Sequence, residues 1–448
     1  MSRPVCDFVE SYAASGMLRM HMPGHKGRRL LGIEPLDITE IPGADVLYSA
    51  QGILRESECT TEKLFGSART VFSTEGSSLC IRAMLYLAQM HAALNGRTCI
   101  VAAGRNAHRV FSDAAALLDP QIRWIGSGEE LLRSNVTPTE LERLFEEGQE
   151  SPSAVYLTSP DYLGNMADLD GIASVCHQHG ALLLVDNAHG AYLKFLNPSL
   201  HPLDHGADIC CDSAHKTLPA LTGAAWLHAG VNCPQMLTGM MERAMALFAS
   251  TSPSYLILQS IDAVNDLLEK PEFRQRLAVC ALESTALKKR LSDEGWELAG
   301  EEPLKLTLCP KSRGYTGEQL AEELSGRGIV CEFADPDYLV LMFSSETNDR
   351  ELRILEEALR RIPIRPAVQT ACPLRRRREP EYSLREVLLH PFESVPVRQA
   401  AGRILASPSV SCPPAVPICL CGERIDREAL EMFEYYGITH CDVLLEQA

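Results

Sequence analysis

Positive charge is in short supply. Only 42 Lys and Arg stand against 59 Asp and Glu, a formal net charge of −17 over 448 residues. That balance argues against a nucleic-acid partner, because gripping a phosphate backbone needs clustered cations. It leans mildly toward a cationic substrate, although acidity often serves solubility alone. No apolar run approaches the length needed to cross a bilayer, and residues 1–10 lack a basic-then-apolar leader pattern. The sixteen cysteines are scattered without a small-domain framework, the usage expected of a reducing compartment. Cys210-Cys211 and Cys419-Leu420-Cys421 lack zinc-type spacing and a second ligand pair, so they read as core residues and no metal is expected. Internal repeats and low-complexity segments are absent as well. What remains is a soluble, cytoplasmic chain, long enough for two or three domains and a sizeable core.

Within that frame, one stretch stands out: Asp212-Ser213-Ala214-His215-Lys216-Thr217-Leu218, after the apolar run Ala207-Asp208-Ile209-Cys210-Cys211. An isolated Ser-x-His-Lys is most simply a solvated strand cap. Upstream, however, Ala181-Leu182-Leu183-Leu184-Val185-Asp186-Asn187-Ala188-His189-Gly190 reads as a fully buried parallel strand ending in a carboxylate. An Asp at the carboxyl end of such a strand lies where open α/β sheets bind ligands. A lysine amine made nucleophilic in a partly desolvated pocket suits a Schiff base to pyridoxal 5'-phosphate. A carboxylate against the pyridine nitrogen keeps the ring protonated and able to accept electrons. Asp186 followed by Lys216 therefore predicts a pyridoxal phosphate site of fold type I.

The rest of the chain is legible as alternating elements. Residues 1–50 look like an arm, and 51–270 a large cofactor-binding domain with a mostly parallel sheet covered by helices on both faces. Helical spacing covers 78–94, 254–268 and 273–294, with apolar runs at 98–103 and 154–158. Strands at 304–308 and 338–343, with helices at 316–326 and 349–361, predict a smaller α/β domain over 271–362. Residues 363–381, Pro- and Arg-rich and including Arg375 to Arg378, read as a linker. Residues 382–448 form a C-terminal region packing on the core.

The chain resembles the Orn/Lys/Arg decarboxylase family, in its short Gram-positive form. The resemblance rests on His21-Met22-Pro23-Gly24-His25-Lys26-Gly27, Gly43-Ala44-Asp45-Val46-Leu47-Tyr48, Arg105-Asn106-Ala107-His108-Arg109 and Ser159-Pro160-Asp161-Tyr162-Leu163-Gly164. It continues through residues 186–190, 213–218, Ser250-Thr251-Ser252-Pro253-Ser254-Tyr255, and Pro413-Pro414-Ala415-Val416-Pro417 with Gly422-Glu423. It implies decarboxylation of arginine, lysine or ornithine to the amine and CO2, and a homodimer or higher homo-oligomer with shared sites. The Gly/Ser turn at residues 73–78 opens a helix, which suits a phosphate; by resemblance it is the phosphate loop, with Ser77 and Ser78 binding. Ser213 and His215 are placed beside the phosphate, and His108 on the face of the cofactor ring. Ala188 would pack the ring's other face, and His189, counted with the cofactor-binding residues, could reach the site from a second layer or point to the sheet's far side. Thr251 would reach the partner's phosphate. Lys216, His215 and Asp186 are the expected catalytic set. Lys26, in a Gly/Pro-rich turn, is a poor candidate for the cofactor lysine. The donor that reprotonates Cα stays open between His215 and Lys216, and Glu423 is a weak candidate for the substrate's distal cation.

Four positions depart from the family pattern: Glu75 for Asn, Asn187 for Glu, and Cys80 and Ala415 for Gly. They admit a paralogue with a shifted substrate, another fold type I reaction (transamination, aldol cleavage or elimination), or a weakly active regulatory homologue.

Overall fold

The computed structural model describes residues 3–126, 136–147, 150–373, 378–406 and 417–445. Seven strands form the main sheet: β1 (Arg69–Ser73), β2 (Ile100–Gly104), β3 (Gln121–Ile125), β4 (Ala154–Thr158), β5 (Leu182–Asp186), β6 (Ile209–Asp212) and β7 (Ala225–Ala229). Their order is β1-β7-β6-β5-β4-β2-β3. β5 and β6 are parallel, as are β2 and β3, whereas β7 runs against both β6 and β1. β2, β5, β6 and β7 are buried at every residue, which explains why they read as continuous apolar runs rather than alternating ones. The fold is the α/β class expected from the sequence.

Contacts divide the chain into two compact units. The first comprises residues 1–99, 153–155 and 169–278. Helices α1 (Pro4–Ala14) and α2 (Ile53–Phe65) pack on each other and on the helix Tyr255–Glu269. Buried Asp262 fixes that corner. One of its oxygens accepts the Val5 and Cys6 N–H groups at 3.0 Å each, and the other accepts the Ser57 hydroxyl at 2.6 Å. The N-terminal arm is thus tied down through its first helical turn, where backbone donors have no intrahelical acceptor. Helix α3 (Gly76–Leu94) lies on β6 and β7 with Leu79, Ile81, Met84, Leu85 and Leu87 buried.

The second unit comprises residues 100–152, 156–168 and 279–448. It holds an antiparallel sheet of β8 (Leu298–Ala299), β9 (Lys305–Leu308), β10 (Phe333–Ala334) and β11 (Leu339–Met342), in the order β10-β11-β9-β8. Capping boxes start the helices Gly317–Ser325 and Asp349–Arg360 at Thr316 and Asn348, each satisfying two orphan donors. β12 (Phe392–Pro396) pairs antiparallel with β13 (His440–Leu444). Val395, Val397, Leu405, Ile425 and Phe433 of this region share a buried cluster with Leu163, Phe333 and Val340.

A tight turn joins two loops of the first unit, at residues 73–76 and 221–224. Gly223 has φ +98°, its carbonyl accepts the Gly76 N–H at 2.8 Å, and a Cβ there would stand 2.9 Å from the Thr74 carbonyl oxygen. Gly223→Ala should therefore cost about 1–3 kcal/mol, read as a lowered melting temperature. Gly16→Ala, at φ +70° but in open space, carries only the backbone strain and should shift melting less. Equal shifts would show that the close approach at Gly223 imposes nothing.

Candidate active site

The chemistry collects where β5 and β6 end side by side. The last ladder pairs are Leu184–Ile209, Val185–Cys210 and Asp186–Cys211. Asp186 is buried, and its Oδ1 accepts the Ala188 N–H at 3.2 Å and faces the Cys211 thiol at 3.6 Å. Burial pushes that thiol well up, so it stays protonated and donates. After β6 the chain turns through Ser213 into the single helical turn Ala214–Thr217. Lys216 is exposed, and its Nζ lies 2.8 Å from His189 Nε2. Of the two positions open to His189, the structure gives the one beside the lysine.

His215 behaves differently. Its Nδ1 donates to the Ala224 carbonyl at 2.9 Å, which accepts only, so the ring proton sits on Nδ1 and Nε2 carries the lone pair. Burial lowers the pKa below the ordinary imidazole value, and the charge of Lys216 adds to this, so the ring is neutral near pH 7.

At the neighbouring loop, Ser213 Oγ donates to Ser77 Oγ at 3.0 Å, joining the turn after β6 to the start of α3. Ser73 Oγ donates to the Gly76 carbonyl at 2.9 Å and accepts the Glu75 N–H at 3.1 Å. Ser78 is half-buried in the first turn of α3. Glu75 itself is exposed, and its Oε1 accepts the Ser250 N–H at 2.8 Å. Its carboxylate is thereby used to hold the 250–251 turn, where Thr251 is exposed. Cys80 is fully buried in α3.

Sequence reasoning missed a buried network immediately behind these groups. Asp212 Oδ1 accepts the Asn187 amide at 2.6 Å, while Oδ2 accepts His201 Nε2 at 2.9 Å and lies 3.3 Å from His228 Nε2. Burial opposes the charge on Asp212, but the two imidazoles outweigh it and hold the carboxyl well below the usual range. Phe65 covers the network, stacked on His228 at 4.5 Å and edge-on to His201 at 5.3 Å. The only local signal was a polar residue inside an apolar strand, His228 in Ala225–Ala229. His201, Cys210 and Asp212 also offer ligand-type atoms within 4.8 Å of one another. However, His201 Nδ1 accepts the Leu203 N–H at 3.3 Å, which puts the ring proton on Nε2, the atom a metal would need. Burial also keeps the Cys210 thiol protonated, and the bonds made here are those of Asp212 to His201 and Asn187.

Several other family-like motifs make contacts within their own segments. Lys26 is exposed, with its amine on the His21 carbonyl at 2.5 Å. Asp45 accepts the Val46, Gln51, Gly52 and Leu54 N–H groups at 2.7 to 3.2 Å, fixing the approach to α2. In the second unit, Asp161 Oδ1 accepts the Leu163 and Asn165 N–H groups at 3.0 and 2.9 Å, closing the loop after β4. His108 caps α4 (Arg109–Leu118), its Nδ1 accepting the Val110 N–H at 3.2 Å. Glu423 is buried against Arg105 at 2.6 Å, with its second oxygen on the Leu420 N–H at 2.9 Å. Both oxygens are committed within the chain, which removes the ground for expecting Glu423 to receive a substrate cation. Of the C-terminal signature, Pro413 to Val416, Ala415 included, lie outside the described residues, as do Arg375, Arg376 and Arg377 of the basic run.

Comparison with known proteins agrees along nearly the whole length. The model of the Orn/Lys/Arg decarboxylase major domain matches residues 3–307, and that of the family's C-terminal domain matches 369–440. An arginine decarboxylase of Bacillus subtilis (strain 168) is 27% identical over 471 residues, 95% of this chain and 91% of the relative. The uncharacterized protein YaaO of the same organism is 28% identical over 465 residues, 96% and 93% of the two chains. Among solved structures, lysine decarboxylase A from Pseudomonas aeruginosa superposes with TM-score 0.79 at 18% identity, covering 97% of this chain and 76% of that one. The constitutive lysine decarboxylase of E. coli gives 0.76 at 17%, covering 99% and 82%. These structural likenesses establish the fold.

The Arg105–Glu423 pair yields a test of its structural role. Both side chains are 3% exposed, so Arg105→Ala strands a buried anion and should cost about 3–5 kcal/mol. Adding Glu423→Ala should recover part of that loss in a melting or denaturant titration. An unshifted Arg105→Ala transition would mean that Glu423 is solvated and open to other partners.

Proposed function

The chain belongs to the Orn/Lys/Arg decarboxylase family, and from that premise we propose that it decarboxylates a basic amino acid with pyridoxal phosphate bound at Lys216. The observation that carries the reading is the pairing of an amine and a carboxylate at the carboxyl ends of two adjacent central strands. Lys216 follows the end of β6, Asp186 closes the adjacent parallel strand β5, and the Ser77–Ser213 hydroxyl pair lies at the start of α3. This donor set fits the cofactor. Lys216 would bind it covalently, Asp186 would face the ring nitrogen, and Ser77, Ser78 and Ser213 would hold the phosphate with the first turn of α3. When bound, the cofactor supplies an electron sink for the bond to the departing carboxylate.

The chain's own residues divide the proton work. His189 Nε2, 2.8 Å from Lys216 Nζ, is placed to take a proton from the ammonium, which leaves the amine neutral and nucleophilic. The same pair can return that proton from Nζ to the carbon that has lost CO2. His215 is the weaker donor, because its one proton is spent on the Ala224 carbonyl and its pKa is lowered. Asp186 keeps its orientation through the Ala188 N–H and the Cys211 thiol. Ala188, buried two residues beyond Asp186, is assigned to one face of the ring. Asp212, an anion held by its two imidazoles, favours cationic groups at this end of the sheet.

The reading is tested by loading the purified protein with pyridoxal phosphate and supplying arginine, lysine and ornithine separately. CO2 should appear together with agmatine or a diamine from one of the three. Borohydride reduction should fix the cofactor to the peptide carrying Lys216. A label on Lys26, or loaded protein that releases no CO2 from any of the three, would overturn the proposal.

We also propose a homodimer in which Thr251 serves the neighbouring subunit's phosphate. Its support is the exposed turn at 250–251, held beside the phosphate loop by Glu75, together with the family likeness. Mixing inactive Lys216→Ala chains with inactive Thr251→Glu chains should restore part of the activity, since each heterodimer then contains one intact site. If subunits exchange and no activity returns, Thr251 acts within its own chain or has no role.

A further inference from the structure

Three observations converge on residues that no expected role covers. Asn187 and Asp212 are each fully buried, and each borders a functional group in sequence: Asn187 follows Asp186, and Asp212 precedes Ser213. The β5–β6 ladder ends at Asp186–Cys211, and one backbone bond continues it, from Asn187 N–H to the Cys211 carbonyl at 3.0 Å. Beyond that point the strands are joined by the side-chain bond from Asn187 Nδ2 to Asp212 Oδ1 at 2.6 Å.

The carboxylate sets the amide's orientation, since only the NH2 end can donate to Asp212. Asn187 Oδ1, buried without a hydrogen-bond partner among the described residues, fills the space against Gly190, where a Cβ would stand 1.9 Å from it. On the far side Asp212 Oδ2 faces His201 and His228. The site therefore holds one carboxylate and one amide, oriented donor to acceptor. A Glu at 187, which the family resemblance leads one to expect, would bring a second carboxylate against an ionised, buried Asp212.

We propose that Asn187 and Asp212 are positioning residues, a single-charge clamp that sets Asp186 and the Ser213–Lys216 turn relative to each other for cofactor binding. The inference rests on the functional reading above. With Asn at 212, the side-chain oxygen would accept from His201 and the NH2 would donate to an Asp at 187, so the exchanged pair keeps the hydrogen bond between the two positions and the net charge, while the carboxylate moves away from His201 and His228.

The test is a double exchange, Asn187→Asp and Asp212→Asn, singly and together, with Asn187→Ala as a milder third variant. Two quantities are read: the melting temperature of the cofactor-free protein, and the visible absorbance during titration with pyridoxal phosphate. Each single exchange should lower melting and raise the half-saturating cofactor concentration about tenfold or more, because a buried charge-assisted hydrogen bond is lost. The double exchange should recover part of both losses, with melting and cofactor binding improving together over either single exchange. Asn187→Ala adds no charge and should still weaken cofactor binding. If the double exchange recovers melting but not cofactor binding, or Asn187→Ala binds as well as wild type, the pair is merely structural and the proposal fails. If the single exchanges do not fold, Asn187→Ala alone decides. A wild type that takes up no cofactor refutes the functional reading itself, an outcome separate from failure of the clamp.

Discussion

An ionised carboxylate without solvent has to be compensated from within the chain, and Asp212 draws that compensation from three other segments. Asn187 comes from the loop after β5, His201 from the turn before residues 202–205, and His228 from β7. Removing a carboxylate from water costs several kcal/mol even after relaxation, so these partners must be in place together. Their assembly fixes where β5, β6 and β7 end relative to one another, and Phe65 closes the cluster over both imidazoles. The cofactor side of the sheet is built outward from this point, with Asp186 one residue before Asn187 and Ser213 one residue after Asp212.

Much of this frame was legible in the residues because it is locally encoded. The apolar run ending at Asp186 has the burial of a central parallel strand. The helical spacing read over 254–268 and 349–361 corresponds to helices at Tyr255–Glu269 and Asp349–Arg360. The lysine turn and the Gly/Ser loop at residues 73–78 carry their chemistry within a few positions. Partnerships set by tertiary structure were not legible. Arg105 and Glu423 are 318 residues apart, and nothing near either residue announces the pair. His201 and His228 read as ordinary histidines until the fold brings both onto one carboxylate.

The departures from the family pattern look different once their neighbours are known. Glu75 directs its carboxylate away from the loop at residues 73–78, onto the Ser250 N–H. Asn187 is matched to an anion at 212. Cys80 sits fully buried in α3 with its thiol raised by burial to a form that carries no charge at neutral pH. Each described departure therefore has a local compensation, and none removes the amine or the ring carboxylate on which the proposed reaction depends. Drift of substrate remains a matter for the product assay rather than for these positions.

The two histidines flanking the chemistry illustrate how hydrogen bonding, rather than residue type, assigns roles. Either His189 or His215 could act as an acid or base by composition alone. His215 has its Nδ1 proton committed to a backbone carbonyl, and burial lowers its pKa below the ordinary value. It is therefore held as a neutral ring with a fixed tautomer, suited to accepting a hydrogen bond at Nε2. His189 instead directs Nε2 at the Lys216 amine, the geometry needed to share a proton with it. The His189–Lys216 contact lets one proton be shared between the two groups, whereas His215, held neutral, would first have to gain one. The asymmetry follows from the backbone: β5 delivers His189 three residues past Asp186, while the turn after β6 seals His215 against Ala224 and leaves Lys216 to face the site.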